Sequence, residues 1–206
     1  RLLDPPLHEF LPTTTRQINK LAKELKMLPA KLKEKIQTLH EINPMLGHRG
    51  CRLAISYPEI TEMQTRAIVE ACINLKNKGF KPKPEIMIPL IGSVSEFIHQ
   101  KNIIKNIIKK YQLNIKIGAM IELPRACLTA DKIALHADFI SFGTNDLTQT
   151  TFGFSRDDVG SFLPKYLNNN ILKNDPFQEL DVDGVGQLIK IAIKKAYKAN
   201  PNIKIG

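Results

Sequence analysis

An α/β fold built on a parallel sheet is what this sequence predicts, and three observations carry that expectation. Apolar runs of strand length alternate with stretches of helical periodicity, the pattern of repeated strand–helix units. The strand candidates, above all residues 85–91, 116–122 and 139–142, are apolar almost throughout, as strands buried on both faces are. Two of them end in polar chemistry: Glu122 closes one, and Gly143-Thr144-Asn145-Asp146 follows the other. Barrel and open α/β enzymes present their working groups there, at the carboxyl ends of parallel strands.

Composition narrows the class. The chain has 206 residues, 43% of them hydrophobic and 24% charged, enough for one domain with a real core. It is shorter than the roughly 250 residues of a complete eight-stranded barrel. Cys51, Cys72 and Cys127 show neither metal-type spacing nor an even-numbered framework, and are expected as free, buried thiols in a reducing cytoplasm. No signal peptide and no apolar run of membrane length is present. The net charge of +10 raises nucleic acid or an anionic membrane as partners. Lys101, Lys105, Lys109 and Lys110, however, lie opposite Ile103, Ile104, Ile107 and Ile108 on a helical pattern. Without interleaved aromatics, that distribution reads as a solvated helix surface, with no nucleic acid and no membrane.

In chain order, residues 1–3 read as the end of a strand, stopped by Asp4-Pro5-Pro6 because proline lacks the donor a ladder needs. Arg1 at such a strand end can fork onto a carboxylate or phosphate, or stand free as a surface arginine. Thr13 to Thr15 offer an N-cap for a helix with Ile18, Leu21 and Leu25 on one face. A second helix follows Pro29 with Leu32, Ile36 and Leu39 inward, and the two form a helical excursion on the rim that ends at a surface His40. Gly47 and Gly50 flank His48-Arg49, where they let the backbone approach a ligand or take positive φ. That placement makes Arg49 a better anion-binding candidate than Arg52, with His48 a neighbour.

Thr61-Glu62-Met63-Gln64 has the form of a capping box for a helix through Ile68, Val69, Cys72 and Leu75 to Gly79. After the strand at 85–91, Ser93-Val94-Ser95-Glu96 caps a helix to about Tyr111. The Glu122 strand is followed by a helix from Pro124 to about His136, and the strand at 139–142 by either an Asx turn or a binding cluster. An irregular region with Phe152, Phe154 and Arg156-Asp157-Asp158 is expected to loop over the site. A helix from Gly184 to Ala199 and a strand entering at Asn202 complete the chain.

Glu122 and Asp146 are separated by about one strand–helix–strand unit, so adjacent parallel strands would bring both carboxylates to one rim. Two carboxylates there repel, and a hard divalent cation removes that penalty. Mg²⁺ typically takes one or two protein carboxylates and fills its other positions with water and substrate oxygens. The spacing therefore points to an oxygen-ligand Mg²⁺ site at Glu122 and Asp146.

Gly143-Thr144-Asn145-Asp146-Leu147-Thr148-Gln149, with Phe152-Gly153-Phe154-Ser155-Arg156-Asp157-Asp158, resembles the phosphoenolpyruvate-binding barrel of the pyruvate, phosphate dikinases. Leu2-Leu3-Asp4-Pro5-Pro6-Leu7-His8-Glu9-Phe10 resembles the same family. Phosphoenolpyruvate synthase and Enzyme I of the sugar phosphotransferase system share only the short Gly-Thr-Asn-Asp core, and stand as alternatives beside a non-catalytic remnant of a split gene. The resemblance runs over the whole chain and covers part of the family's length. It implies an incomplete (β/α)8 barrel, the C-terminal phosphoenolpyruvate/pyruvate domain. It implies Mg²⁺ on Glu122 and Asp146, and substrate binding by Arg1, Arg49, Glu122, Gly143, Thr144, Asn145 and Asp146. It further implies pyruvate or phosphoenolpyruvate as ligand, a swivelling phosphohistidine domain as partner, and a homodimer in the intact enzyme. The family's proton-transfer cysteine is expected just after the position of Gly206. The phosphohistidine and nucleotide-binding domains are expected to be absent from this segment. None of Cys51, Cys72 and Cys127 has the proton-transfer context, and none of the five histidines has the phosphohistidine signature, so no catalytic residue is assigned within the chain.

Overall fold

The computed structural model describes all of residues 1–206. Four strands form one parallel sheet in sequence order: β1 (Glu85–Ile88), β2 (Lys116–Ile121), β3 (Phe139–Phe142) and β4 (Lys204–Ile205). Ile86 pairs with Ile117, Ala119 with Ile140, and Ile140 with Ile205. Leu2 donates its backbone N–H to Met87 O (2.9 Å), so the N-terminal segment lies along the outer edge of β1. The architecture is mixed α/β with an open four-stranded sheet; a closed barrel is not formed.

Ten α-helices accompany the sheet. Ahead of β1 come α1 (Thr15–Glu24), α2 (Pro29–Thr38), α3 (Gly50–Ser56) and α4 (Pro58–Asn77). Between β1 and β3 lie α5 (Val94–Lys110), α6 (Pro124–Leu128) and α7 (Ala130–Ala134). After β3 come α8 (Thr144–Phe152), α9 (Leu163–Asn168) and α10 (Val185–Ala199). The core joins Ile86, Ile88, Ile117, Ile121 and Ile140 of the sheet to Phe97 and Ile104 of α5 and to Val185, Ala192 and Ala196 of α10. Full burial of a side chain of Ile or Phe size stabilises by about 1.5–3 kcal/mol. Ala192 and Ala196 face a helix whose own buried residues include Ala130 and Ala134, and small residues on both sides let α10 lie close to α7.

Several elements form for the reasons the sequence offers. Ser93 and Glu96 make a reciprocal capping box at the start of α5, and Thr14 with Gln17 makes another at α1. All three cysteines are free and buried. Elsewhere the structure corrects the expectation. Thr61 is no cap: α4 begins three residues earlier with Pro58 in its first turn, and the Thr61 hydroxyl, fully buried, donates to Gln100 Oε1 (2.6 Å) to tie α4 to α5. Leu75 and Leu25 are 42% and 52% exposed rather than core residues. The strand of β1 stops at Ile88 because Leu90 turns to φ +59°, outside any ladder. The helix expected over 124–136 is interrupted at Thr129, whose φ and ψ of −118° and 21° break the run.

Lys101 also departs from the solvated lysine face. It is buried (9% exposed), with Nζ donating to His136 O (2.5 Å) and lying 3.6 Å from Asp138 Oδ1. Asp138 in turn accepts the Ile117 N–H (2.7 Å). That cluster lies at the amino end of the sheet, opposite the rim that carries Glu122 and Asp146.

Candidate functional site

Leu90, Glu122 and Gly143 each follow the last residues of β1, β2 and β3, so the parallel register delivers them to one rim. There Glu122 and Gly143 border a cavity of about 500 Å³ that is also lined by Arg1, Asp4, Arg49, Thr144, Asn145 and Asp146. The structure thus brings together every residue the sequence nominates for binding. It places Asp146 differently from expectation, however. Residues 144–152 are helical, not an irregular loop, and Asp146 sits in the first turn of α8. Thr144 and Asn145 precede it there, exposed, where unpaired backbone N–H groups of a helix start favour anions.

Glu122 is almost wholly buried (1% exposed) and accepts the Leu90 N–H through Oε1 (2.5 Å). That bond explains the left-handed turn at Leu90, a strained conformation for a branched side chain. The following peptide is held by Cys51 Sγ, which donates to Leu90 O (3.1 Å). Gly143 has no alternative side chain, because a Cβ there would run into Glu122 Oε2. Burial raises the Glu122 carboxyl to about 7; the Leu90 hydrogen bond opposes the rise, and the charges of Asp4 and Asp146 add to it.

Arg49 caps the start of α3 and is 5% exposed. Its Nη1 donates to Asp146 Oδ1 (2.8 Å), its Nη2 to Asp4 Oδ2 (2.5 Å) and Asp146 Oδ2 (3.4 Å), and its Nε to Asp4 O (3.1 Å). The fifth N–H faces only Met45 Sδ at 4.0 Å, a weak acceptor. Burial alone would lower the guanidinium's pKa, but Asp4 and Asp146 outweigh it and hold Arg49 charged. Arg1 stands at the cavity mouth, its side chain 44% exposed, 3.8 Å from Asp4 Oδ2 and 3.6 Å from Met120 Sδ. Gly50 takes φ +53° as the glycine pattern anticipates, and a Cβ there would lie 2.6 Å from Asp4 Oδ1. His48 does not line the cavity, and its Nε2 lies 2.7 Å from Ser56 Oγ.

Asp4 and Gln149 are what sequence reasoning missed. Asp4 looks like the stop before two prolines, yet it is 3% exposed and contributes to a group in which Asp4, Glu122 and Asp146 each offer an oxygen within 4.8 Å of the others. Burial raises its pKa, and Arg49 works against that rise. Its Oδ1 is buried without a hydrogen-bond partner. Three clustered carboxylates, only two of them paired with a guanidinium and with one Asp4 oxygen unsatisfied, are a donor set that fits a hard oxygen-seeking cation such as Mg²⁺.

Residues 1–205 match the family described as PEP-utilising enzyme, PEP-binding domain. Among curated proteins the chain is 54% identical to a chloroplastic pyruvate, phosphate dikinase of Mesembryanthemum crystallinum. It is 53% identical to chloroplastic pyruvate, phosphate dikinase 1 of Arabidopsis thaliana and to pyruvate, phosphate dikinase 2 of Zea mays. Each comparison covers all of this chain and 23%, 22% and 24% of the relative respectively, so the chain spans about a quarter of the proteins it matches.

Proposed function

The chain belongs to the PEP-utilising enzyme family, and on that premise we propose that it is the part of a pyruvate, phosphate dikinase that binds pyruvate and phosphoenolpyruvate together with Mg²⁺. The whole enzyme of this reading interconverts ATP, pyruvate and phosphate with AMP, phosphoenolpyruvate and diphosphate. The phosphoryl group reaches the cavity on a phosphohistidine borne by another domain. The single observation that carries the reading is the clustering of the Asp4, Glu122 and Asp146 carboxylates, two of them paired with Arg49, in a cavity bordered by Arg1 and the start of α8. An all-parallel sheet in sequence order is also what a stretch of (β/α)8 barrel looks like, and it supports that architecture for the intact domain.

Each residue has a task in this reading. Glu122 and Asp146 hold the cation, with Asp4 beside them. When bound, Mg²⁺ supplies a Lewis acid that stabilises the negative charge of the pyruvate enolate. Arg1 offers most of its donors to the phosphoryl oxygens from the open side. Arg49 offers its fifth N–H, since a phosphoryl oxygen is a far stronger acceptor than Met45 Sδ. Gly143, Thr144 and Asn145 orient the substrate carboxylate at the helix start. Arg49 and the Asp4 and Glu122 carboxylates are buried and hydrogen-bonded before substrate arrives, so these groups need little reorganisation.

Calorimetry of the chain with oxalate, a planar dianion of enolate-like shape, tests the proposal. Oxalate should bind in the presence of Mg²⁺ and much more weakly without it. Asp146→Ala should weaken binding by at least about tenfold, the scale of one lost charge-assisted contact. Equal binding with and without Mg²⁺, or an unaffected Asp146→Ala, refutes it.

A further inference from the structure

Gln149 lies one helical turn beyond Asp146 on α8 and is 8% exposed. Both ends of its carboxamide are engaged. Oε1 accepts the backbone N–H of Arg156 (2.8 Å), and Nε2 donates toward Asp146 Oδ1 (3.4 Å). The orientation of the amide is not arbitrary. A backbone N–H can only be accepted, so the oxygen faces residue 156 and the NH₂ faces the carboxylate. The segment between them is short and otherwise anchored. Gly153 ends α8 at φ +69°, the Phe154 N–H returns to Gln149 O (3.1 Å), and the Phe154 ring meets Phe162 edge-on at 5.0 Å and Phe152 at 5.2 Å. The aromatic cluster fixes the outer side of this turn and Gln149 its inner side. Arg156 and Asp157 thereby border the same cavity as Asp146.

We infer that Gln149 is a positioning residue: its amide ties the turn carrying Arg156 to the Asp146 carboxylate, so that the cavity wall and the cation-side carboxylate are set as one unit. The inference deepens the function proposed above and rests on it only for the ligand arm of the test. A neutral amide meets this demand, because its oxygen accepts on one side while its NH₂ donates on the other. A carboxylate at 149 would keep the bond to Arg156 and turn the bond to Asp146 into a repulsion. An apolar side chain of the same length would lose both.

Amide hydrogen exchange and oxalate–Mn²⁺ binding on the chain and two variants, Gln149→Glu and Gln149→Leu, separate these cases. In Gln149→Leu the Arg156 N–H should exchange about tenfold faster, as expected for one lost hydrogen bond, while the Ile104 and Ile121 amides keep their rates and show that the fold persists. In Gln149→Glu the Arg156 N–H should stay protected, while oxalate–Mn²⁺ affinity changes about tenfold because repulsion replaces the hydrogen bond that sets the Asp146 carboxylate. Unchanged Arg156 exchange in Gln149→Leu, or unchanged affinity in Gln149→Glu, overturns the inference. If the unsubstituted chain itself binds no oxalate–Mn²⁺, the proposed function fails, and the positioning role stands or falls on Arg156 exchange alone.

Discussion

At the scale of single residues, the site is a solution to packing negative charge into a low-dielectric rim. Glu122 shows it best. Its carboxyl is raised from 4.5 to about 7 chiefly by burial, with Asp4 and Asp146 adding to the rise. A raised carboxyl binds its proton more tightly in the folded chain than in the unfolded one. Its contribution to stability is therefore full below pH 4.5 and declines as pH rises toward 7. In the cation-free chain, Glu122→Gln should remove most of that decline, which is on the order of 3 kcal/mol if fully expressed. Urea melts of both proteins at pH 4.5 and 7.5 check it; a variant that retains the full slope shows that another group carries it. Glu122 and Asp146 are legible in the sequence because each follows an apolar run. Asp4 is not, since its partner Arg49 lies 45 positions away and nothing local marks a carboxylate before two prolines as buried. Gln149 is equally silent: its motif is visible, but the loop it accepts from is placed only by the tertiary fold.

At the scale of elements, the sequence states where helices start when a side chain does the capping and fails when the backbone or a proline does. Ser93 and Glu96 act through their own side chains, and α5 begins where they say. Ser93→Ala should cost about 1 kcal/mol, readable as a lower urea midpoint with an unchanged slope. No shift in midpoint means the cap adds nothing to a helix already held by Phe97 and Ile104. The Thr61 motif has the same letters with a different outcome, because Pro58 offers an earlier start and Thr61 finds a buried partner in Gln100. The first turn of α8 is the more consequential case. Thr144-Asn145-Asp146 reads equally as a turn, since all three residue types compete for backbone bonds. What selects a helix is the apolar side chain of Leu147 reaching the core on its next turn, where it is fully buried. That choice sets Asp146 one turn from Gln149 and aims the helix start into the cavity.

At the scale of the whole molecule, the parallel sheet gathers the carboxylates and arginines at its carboxyl rim, while Lys101 and Asp138 pair at the amino end. The alternation of strands and helices makes this architecture legible from the sequence. Curvature into a closed barrel is not legible in the same way, because it depends on how many strands meet edge to edge. The cavity lining holds carboxylates, arginines and helix-start amides, but no histidine and no cysteine. His48, next to Arg49 in sequence, is instead bonded to Ser56, while His8 stacks on His40 at 5.7 Å and His99 leans on Gln100. Cys51 and Cys127 are pushed to about 12 by burial and carry no thiolate at neutral pH. The cavity lining therefore presents carboxylates, guanidinium groups and helix-start amides, and neither an imidazole nor a thiol. The chain of 206 residues should accordingly bind oxalate with Mg²⁺ and yet form no pyruvate from phosphoenolpyruvate, AMP and diphosphate. A coupled lactate dehydrogenase assay on the purified chain measures this directly. Pyruvate formation that scales with chain concentration and vanishes in Asp146→Ala would place a transfer group inside this fold, where its geometry offers none.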